Sequence, residues 1–210
     1  MSDPALFSAT AEAVSQLKAL AEAGDAAAAY RLGVLYACDG ERDAEAFRYY
    51  AMAAAQGHTE ALYEAGECRF LGRGTVQDRA AALADYRRAA AAGHPDAHAQ
   101  LGVCYAYGIG VPRDPAEAER HYCAAAEADA AAYAYELATA YETGRGIRTD
   151  RAAALVWYRR AADSGIPGAA YRLAERLSDP SDASYDRTEA ETCYRQAVRL
   201  GVTLPPPWQE

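Results

Sequence analysis

Small and apolar residues recur along this chain at two spacings. Within short stretches they fall at i, i+4, i+5 and i+8, as Ala28, Leu32, Gly33 and Tyr36 do, and this spacing places them on one face of a helix. Over longer distances the pattern returns every 36 residues. Tyrosine marks that step at Tyr50, Tyr86, Tyr122, Tyr158 and Tyr194. A fixed period in this range predicts stacked helix–turn–helix units.

The second helix of each predicted unit carries recognisable end signals. Aspartate stands at one phase of the repeat in Asp78, Asp114, Asp150 and Asp186, and Asp43 lies one residue off that phase. We expect five aspartate N-caps there, because a carboxylate accepts hydrogen bonds from first-turn amides. Glycine, or Asp129 in one copy, should end these helices in a left-handed conformation. Sequences such as Gly72-Arg73-Gly74 should turn the chain between the paired helices.

The repeat divides the chain into three predicted segments. Residues 1–24 form an N-terminal capping helix, which should run from Ala9 to Ala23. Residues 25–201 hold about five repeats. Residues 202–210 form a proline-rich tail that ends near Trp208 and favours an extended polyproline conformation. This tail either folds back to cap the last repeat or, with the end repeats, docks on another copy and produces an oligomer.

Charge and hydropathy narrow the classes of partner. Thirty acidic residues against 21 basic ones give a net charge of −9, and no basic cluster is present, so nucleic acid and anionic membrane surfaces are disfavoured. No apolar stretch approaches the roughly 20 residues that span a bilayer, so we expect no membrane insertion. The N-terminus has no signal-peptide pattern. These features indicate a cytoplasmic protein, or a periplasmic one if a leader has been removed.

Cysteine and histidine give little sign of redox or metal chemistry. The five cysteines have no paired-ligand spacing. Cys68 and Cys104 share one repeat phase, so they are either disulfide-linked or, as we favour, small buried residues in a reducing compartment. His94 and His98 have metal-ligand spacing on a helix, but no further ligands complete a site. We therefore expect no metal and no cofactor.

These residues together resemble the Sel-one-like repeat family, a relative of the tetratricopeptide repeats. The first repeat carries Ala28, Tyr30, Leu32, Gly33 and Tyr36 at the spacing of the family motif. The fourth repeat completes that motif with the Gly-x-Gly turn, the capping aspartate, the aromatic pair, the alanine pair and the closing glycine; these are Gly144-Arg145-Gly146, Asp150, Trp157-Tyr158, Ala161-Ala162 and Gly165. The resemblance implies an all-α fold, a right-handed α-solenoid of antiparallel helix pairs with a 36-residue repeat.

The resemblance also implies that the first helix of each pair lines a concave, partner-binding surface. The candidate positions lie beside the core stripe on those helices. They are Tyr30, Arg31, Tyr63, Glu64, Glu67, Phe70, Gln100, Tyr135, Glu136, Thr139, Glu142, Tyr171, Arg172 and Glu175. Tyrosine combines contact area with a hydroxyl, which suits recognition and internal packing equally, so both interpretations stay open. The glutamates are either specificity determinants or a solvated face.

Three classes of function fit these features to different degrees. We favour a non-catalytic protein–protein interaction module, which is an adaptor, chaperone-like protein or regulatory scaffold that holds a protein segment. If the glutamates determine specificity, that segment is basic. A narrower alternative is an antagonist or immunity-type protein that neutralises a basic toxin or effector, because acidic charge speeds such encounters. An enzyme of hydrolase type, with Glu64 and Glu67 as an acid–base pair, is disfavoured, since no catalytic residues are expected without a named nucleophile or cofactor loop.

Overall fold

The computed structural model describes residues 11–181 and 184–208, which are helical apart from short connections. Parts of three sequence predictions lie outside the described residues: the start of the N-terminal helix at Ala9, the remainder of segment 1–24 before residue 11, and the last two residues of the tail. The chain divides into two compact units, residues 1–101 and 102–210. Each unit is described below by itself.

The first unit holds five complete helices and the start of a sixth among the residues described. They are α1 (Ala11–Glu22), α2 (Ala26–Ala37), α3 (Asp43–Ala55), α4 (Thr59–Leu71), α5 (Arg79–Ala91) and α6 (Pro95–Tyr107), the last of which continues past the unit boundary. Consecutive helices pack together from α1 to α5. The short turns between them make each pair antiparallel.

The second unit continues with the end of α6 and five further helices in its described residues. These are α7 (Pro115–Ala128), α8 (Ala130–Thr143), α9 (Arg151–Asp163), α10 (Pro167–Leu177) and α11 (Arg187–Arg199). Consecutive helices pack together from α7 to α11. Within each unit this arrangement confirms the predicted fold class, an all-α solenoid of helix pairs.

The predicted core stripe is buried. Ala28, Leu32, Gly33 and Tyr36 of α2 are all buried, and so are Leu137, Ala138 and Tyr141 of α8. The second-helix tyrosines enter the same core, where Tyr86 is 0% and Tyr158 is 1% exposed. Of the 36-residue tyrosine series, Tyr50, Tyr86 and Tyr158 are therefore buried between paired helices, whereas Tyr122 and Tyr194 are half-buried.

Glycine on the first helix makes room for the tyrosine ring of the second. A Cβ atom at Gly33 would lie 2.4 Å from the Tyr50 ring, and one at Gly66 would lie 2.7 Å from the Tyr86 ring. Both distances are far below van der Waals contact, so the ring and the helix backbone touch directly in these repeats. The fourth and fifth repeats have Ala138 and Ala174 at this phase.

The expected aspartate caps form in four of the five predicted cases. Asp78, Asp114, Asp150 and Asp186 each accept a hydrogen bond from a first-turn amide, at 2.9–3.1 Å. The prediction is wrong for Asp43, because α3 is preceded by Arg42, which makes no side-chain cap, and Asp43 is already helical. A one-residue shift in phase thus moves the carboxylate from the cap to the first turn.

Asp129 also differs from its predicted role. Its φ of −140° is not left-handed, so it does not replace the closing glycine conformationally. Instead it ends α7 and caps α8, accepting a hydrogen bond from the Ala132 amide at 3.1 Å. The Gly-x-Gly turns behave as predicted, since Gly72, Gly108 and Gly144 all have φ near +70°.

We expect Gly66→Ala to lower the free energy of unfolding by about 1–3 kcal/mol, because the added methyl group must displace the fully buried Tyr86 ring. Urea denaturation followed by circular dichroism measures this change. Gly168→Ala is the matched control: a Cβ there meets nothing closer than 3.8 Å and its φ is not left-handed. The control should be neutral or stabilising by up to about 1 kcal/mol. Equal effects of the two substitutions would contradict the packing role of Gly66.

Candidate functional site

The predicted partner-binding residues all lie on first helices or at their ends. In the first unit, Tyr30 and Arg31 are on α2, residues 63–70 on α4 and Gln100 on α6. In the second unit, residues 135–142 are on α8 and residues 171–175 on α10. Most of these side chains are half-buried, whereas Arg31, Glu136 and Arg172 are exposed. The structure therefore leaves them accessible in part, and whether they bind a partner remains a prediction.

The aromatic part of the first unit's face is built around Tyr63. Its ring stacks on His94 at 4.7 Å between centroids and tilts against Tyr86 at 6.0 Å. Gln100 makes a hydrogen bond to the Tyr63 hydroxyl. Burial, and then the charge of Glu67, raise the pKa of Tyr63 to about 12, so it remains a neutral phenol at physiological pH. The ring is thus shared between helix packing and the accessible face.

His58 and His94 each stack on a first-helix tyrosine and also cap the N-terminus of the helix that follows them. The Nδ1 atom of His58 accepts a hydrogen bond from the Ala61 amide, and that of His94 accepts one from the Ala97 amide, both at 3.4 Å. His58 stacks on Tyr30 at 4.6 Å, as His94 does on Tyr63. His58 and His94 lie one 36-residue step apart in the sequence, but this spacing does not show that they are helix caps.

Glu67 accepts a hydrogen bond from the core tyrosine Tyr86. The Tyr86 hydroxyl donates a hydrogen bond to Glu67 Oε1 at 2.5 Å. Phe70 also contacts this tyrosine, with ring centroids 6.2 Å apart. Glu67 therefore satisfies a hydroxyl that reaches the face from the core, which is a structural task the sequence analysis did not assign to it.

Glu64 is a half-buried acid of this face whose ionisation is disfavoured. Burial is the largest cause that raises the pKa of Glu64, and the negative charges of Glu67 and Asp96 raise it further, against a lowering by Arg73. The same carboxylate contributes to the raised pKa of Tyr30, after burial. A cation placed beside Glu64 would relieve this unfavourable charge.

The second unit repeats the tyrosine–acid contact with different residues. The Tyr158 hydroxyl donates to Glu142 Oε2 at 2.8 Å and lies 3.3 Å from Thr139 Oγ1. Burial is the main cause that raises the pKa of Tyr158 to about 12. Arg176 of α10 makes an ion pair with Glu142 and so joins two neighbouring first helices. Glu142 is therefore occupied by internal partners, as Glu67 is.

Two further charged residues of this face, Arg172 and Glu175, are paired with each other within the second unit. Arg172 Nη1 lies 2.9 Å from Glu175 Oε2, and Arg172 makes a hydrogen bond with Tyr135. Glu136 is exposed on α8, and its charge contributes to the raised pKa of Tyr122, for which burial is the main cause. The second unit thus presents a less acidic face than its glutamate content suggests.

Residues 202–208 lie against the last helix pair, where they cover two tyrosines. The Tyr194 hydroxyl donates to the Leu204 carbonyl at 2.9 Å, and the Tyr171 hydroxyl donates to the Pro205 carbonyl at 3.2 Å. Trp208 meets Tyr194 edge-on at 5.5 Å. Of the two alternatives for the tail, the structure shows the folded-back one.

Two surface hollows are separate from the predicted face. One of 550 Å³ is lined by Arg69 and residues 75–79, and one of 370 Å³ by Val14, Leu35, Tyr36 and neighbouring loop residues. Neither contains any of the predicted partner-binding residues. Across residues 11–181 and 184–208, no group of three or more His, Cys, Asp and Glu side chains could hold a metal ion. In the same part of the chain, no helix has the length and apolar character needed to cross a bilayer.

Paired helices that repeat every 36 residues and present an open tyrosine-lined face define a helical-repeat protein. Five consecutive segments match the Sel1 repeat: residues 26–58, 59–94, 95–129, 131–166 and 167–202. The chain therefore belongs to the Sel1 repeat family, as the sequence analysis inferred. Proteins of this family are generally protein-interaction scaffolds.

Solved structures agree with this assignment. The chain is similar to c5321, a protective antigen of uropathogenic Escherichia coli with an SLR fold, at 28% identity and a TM-score of 0.77 over 90% of this chain. It is also similar to a Sel1 repeat protein from Oxalobacter formigenes, at 26% identity and a TM-score of 0.74 over 91% of this chain. The matched regions make up 41% and 56% of those two proteins.

A third similarity concerns the immunity-protein alternative. The immunity protein Pa5087 from Pseudomonas aeruginosa matches at 20% identity and a TM-score of 0.41, over 83% of this chain and 81% of its own. A similarity this low carries no argument about function. No curated protein matches the sequence.

We expect Glu64→Gln to raise the free energy of unfolding at pH 7. The folded chain binds the Glu64 proton more tightly than the unfolded chain does, so the ionised carboxylate destabilises the folded state at neutral pH. This destabilisation should disappear as the pH falls to the usual glutamate pKa, about 4.3. Denaturation curves at the two pH values measure the difference.

Glu41→Gln serves as the control for this experiment, because Glu41 is exposed in the loop before α3. It should change stability little at either pH. If Glu64→Gln destabilised the chain at pH 7, the ionised carboxylate would stabilise the folded state through a favourable partner, and the prediction drawn from its raised pKa would be wrong.

Proposed function

We propose that this chain is a non-catalytic interaction module, an adaptor, chaperone-like protein or regulatory scaffold, which holds a segment of another protein on its first-helix faces. The observation that carries the proposal is Glu64. Burial is the main cause that disfavours ionisation of this half-buried carboxylate, and Glu67 and Asp96 add to it against the opposing charge of Arg73. The ionised carboxylate weakens the fold, and residues that cost stability are frequent at functional sites. Glu67 has a structural role, because it accepts the hydrogen bond from the Tyr86 hydroxyl, and Glu64 does not share that role.

The chemistry around Glu64 favours a partner with a lysine or arginine side chain. A cation that approached this carboxylate would be attracted by Glu64, Glu67 and Asp96, of which Glu64 is partly desolvated, and would be opposed by Arg73. Tyr63 beside them offers a flat ring for the alkyl stem of the same side chain. The proposed ligand of the first unit is therefore a basic, exposed protein segment.

An interaction role fits the surface better than catalysis does. Acid–base catalysis needs a second titrating group poised near the first in a water-excluded pocket. Here Glu67 is hydrogen-bonded to Tyr86, and the residues around Glu64 lie on an open helix face. An open face of aromatic and acidic side chains suits an extended partner more than a small enclosed substrate.

The test is affinity capture from the source cell's lysate with three baits: the parent chain, Glu64→Arg and Glu41→Arg. The last two carry the same charge change, on the proposed face and on an exposed loop. We expect one or more proteins to be retained by the parent and by Glu41→Arg, but lost by Glu64→Arg. Retention should weaken as the salt concentration rises from about 0.05 to about 0.5 M, since the contact is partly electrostatic.

Two further measurements make a negative result informative. Circular dichroism melting of each bait shows whether Glu64→Arg is folded, and the milder Glu64→Gln should weaken capture without reversing the charge. If all three folded baits retained the same proteins, or retained none, Glu64 would belong to a solvated face and the proposal would be wrong.

A further inference from the structure

The segment that covers the last repeat uses main-chain atoms and one aromatic ring. The Tyr194 hydroxyl donates to the Leu204 carbonyl, and the Tyr171 hydroxyl donates to the Pro205 carbonyl. Trp208 packs edge-on against Tyr194 and lies under the Arg187 guanidinium, 4.6 Å from its ring centroid. Leu204 itself remains 54% exposed, so its side chain adds little burial. The last repeat therefore binds residues 204–208 through two carbonyls and a tryptophan.

The fourth repeat has equivalent tyrosines, Tyr135 and Tyr158, and shows what they contact without a tail segment. Tyr135 and Tyr158 form a tilted pair at 5.7 Å and 56°, and Tyr171 and Tyr194 form one at 6.4 Å and 58°. Tyr158 donates to Glu142 of its own repeat. The position equivalent to Glu142 in the last repeat is Ser178, whose hydroxyl donates to the Glu175 carbonyl. The tail carbonyl thus takes the place of the missing glutamate.

The sequence of the bound segment explains why it fits. Pro205, Pro206 and Pro207 have no amide hydrogen to leave unsatisfied or to use in an internal hydrogen bond, so the carbonyls of the segment are free to accept from tyrosine hydroxyls. Grooves lined by aromatic side chains recognise proline-rich segments in this way. Beyond Val202, whose amide donates to the Ala197 carbonyl, the segment is held by two hydrogen bonds, one ring contact and one cation–π contact. It is readily displaced, because each such contact contributes modestly.

We propose that the face formed by Tyr171, Tyr194 and Arg187 is a docking site for a proline-rich segment with an aromatic residue, supplied by a partner protein, and that residues 202–208 occupy it until the partner displaces them. This inference concerns the second unit alone. It stands whether or not Glu64 in the first unit binds a basic segment. A tethered tail has an effective concentration near the millimolar range, so it acts as a competitor that sets the affinity for the partner.

The experiment measures fluorescence anisotropy of a labelled peptide, Val-Thr-Leu-Pro-Pro-Pro-Trp, with the full chain. Trp208→Ala should loosen the chain's own tail and bind the peptide about tenfold more tightly than the parent does, because one edge-on ring contact and one cation–π contact no longer hold the competitor. Adding Tyr194→Phe to Trp208→Ala should reverse most of this gain, since the hydroxyl that meets the Leu204 carbonyl is lost. Adding Tyr107→Phe, an exposed tyrosine of α6, is the matched control and should change nothing.

Each result decides between the proposal and a simpler role for the tail. Equal peptide affinity for the parent and Trp208→Ala, no binding to either, or no effect of Tyr194→Phe would show that residues 202–208 only cap the last helix pair. Light scattering of the parent chain tests exchange between copies. A dimer that disappears in Trp208→Ala would make a second copy the occupant, and the proposed partner would be wrong.

Discussion

The packing of a second-helix tyrosine against the first helix of its pair is the interaction on which the repeats depend. At Gly33 and Gly66 the ring lies where a side chain would otherwise be, so the two helices approach more closely than larger residues would allow. The hydroxyl of the same tyrosine then emerges on the first-helix face. There the Tyr86 hydroxyl donates to Glu67, and the Tyr158 hydroxyl donates to Glu142. One residue therefore sets both the spacing of the helix pair and the polarity of its accessible side.

The architecture was predictable because its signals are local and repeated. The tyrosine step, the Gly-x-Gly turns and the capping aspartates each depend on a few neighbouring residues, and the structure has them where the sequence indicated. The two errors, Asp43 and Asp129, occurred where one copy departs from its phase or residue type. At such positions the backbone conformation decides the role of the carboxylate, and the repeat pattern does not report it.

The chemistry of the face was predictable only in outline. The sequence placed Glu64 and Glu67 on the same side of one helix, but it could not show that Glu67 receives the Tyr86 hydroxyl while burial raises the pKa of Glu64. Likewise, nothing in the spacing indicates that Asp85 is buried in an ion pair with Arg69 of the preceding helix. These differences arise from side chains of neighbouring helices, whose approach is fixed only when the repeats pack.

The capping histidines connect the accessible face to the start of the following repeat. His58 touches Tyr30 with its ring and the first turn of α4 with its nitrogen, and His94 makes the same two contacts between Tyr63 and α6. A ligand that immobilises one of these tyrosines therefore also restrains the helix that follows it. In a nearest-neighbour description of repeat folding, occupancy of one repeat then strengthens its junction with the next, and local opening is suppressed over a pair of repeats instead of one.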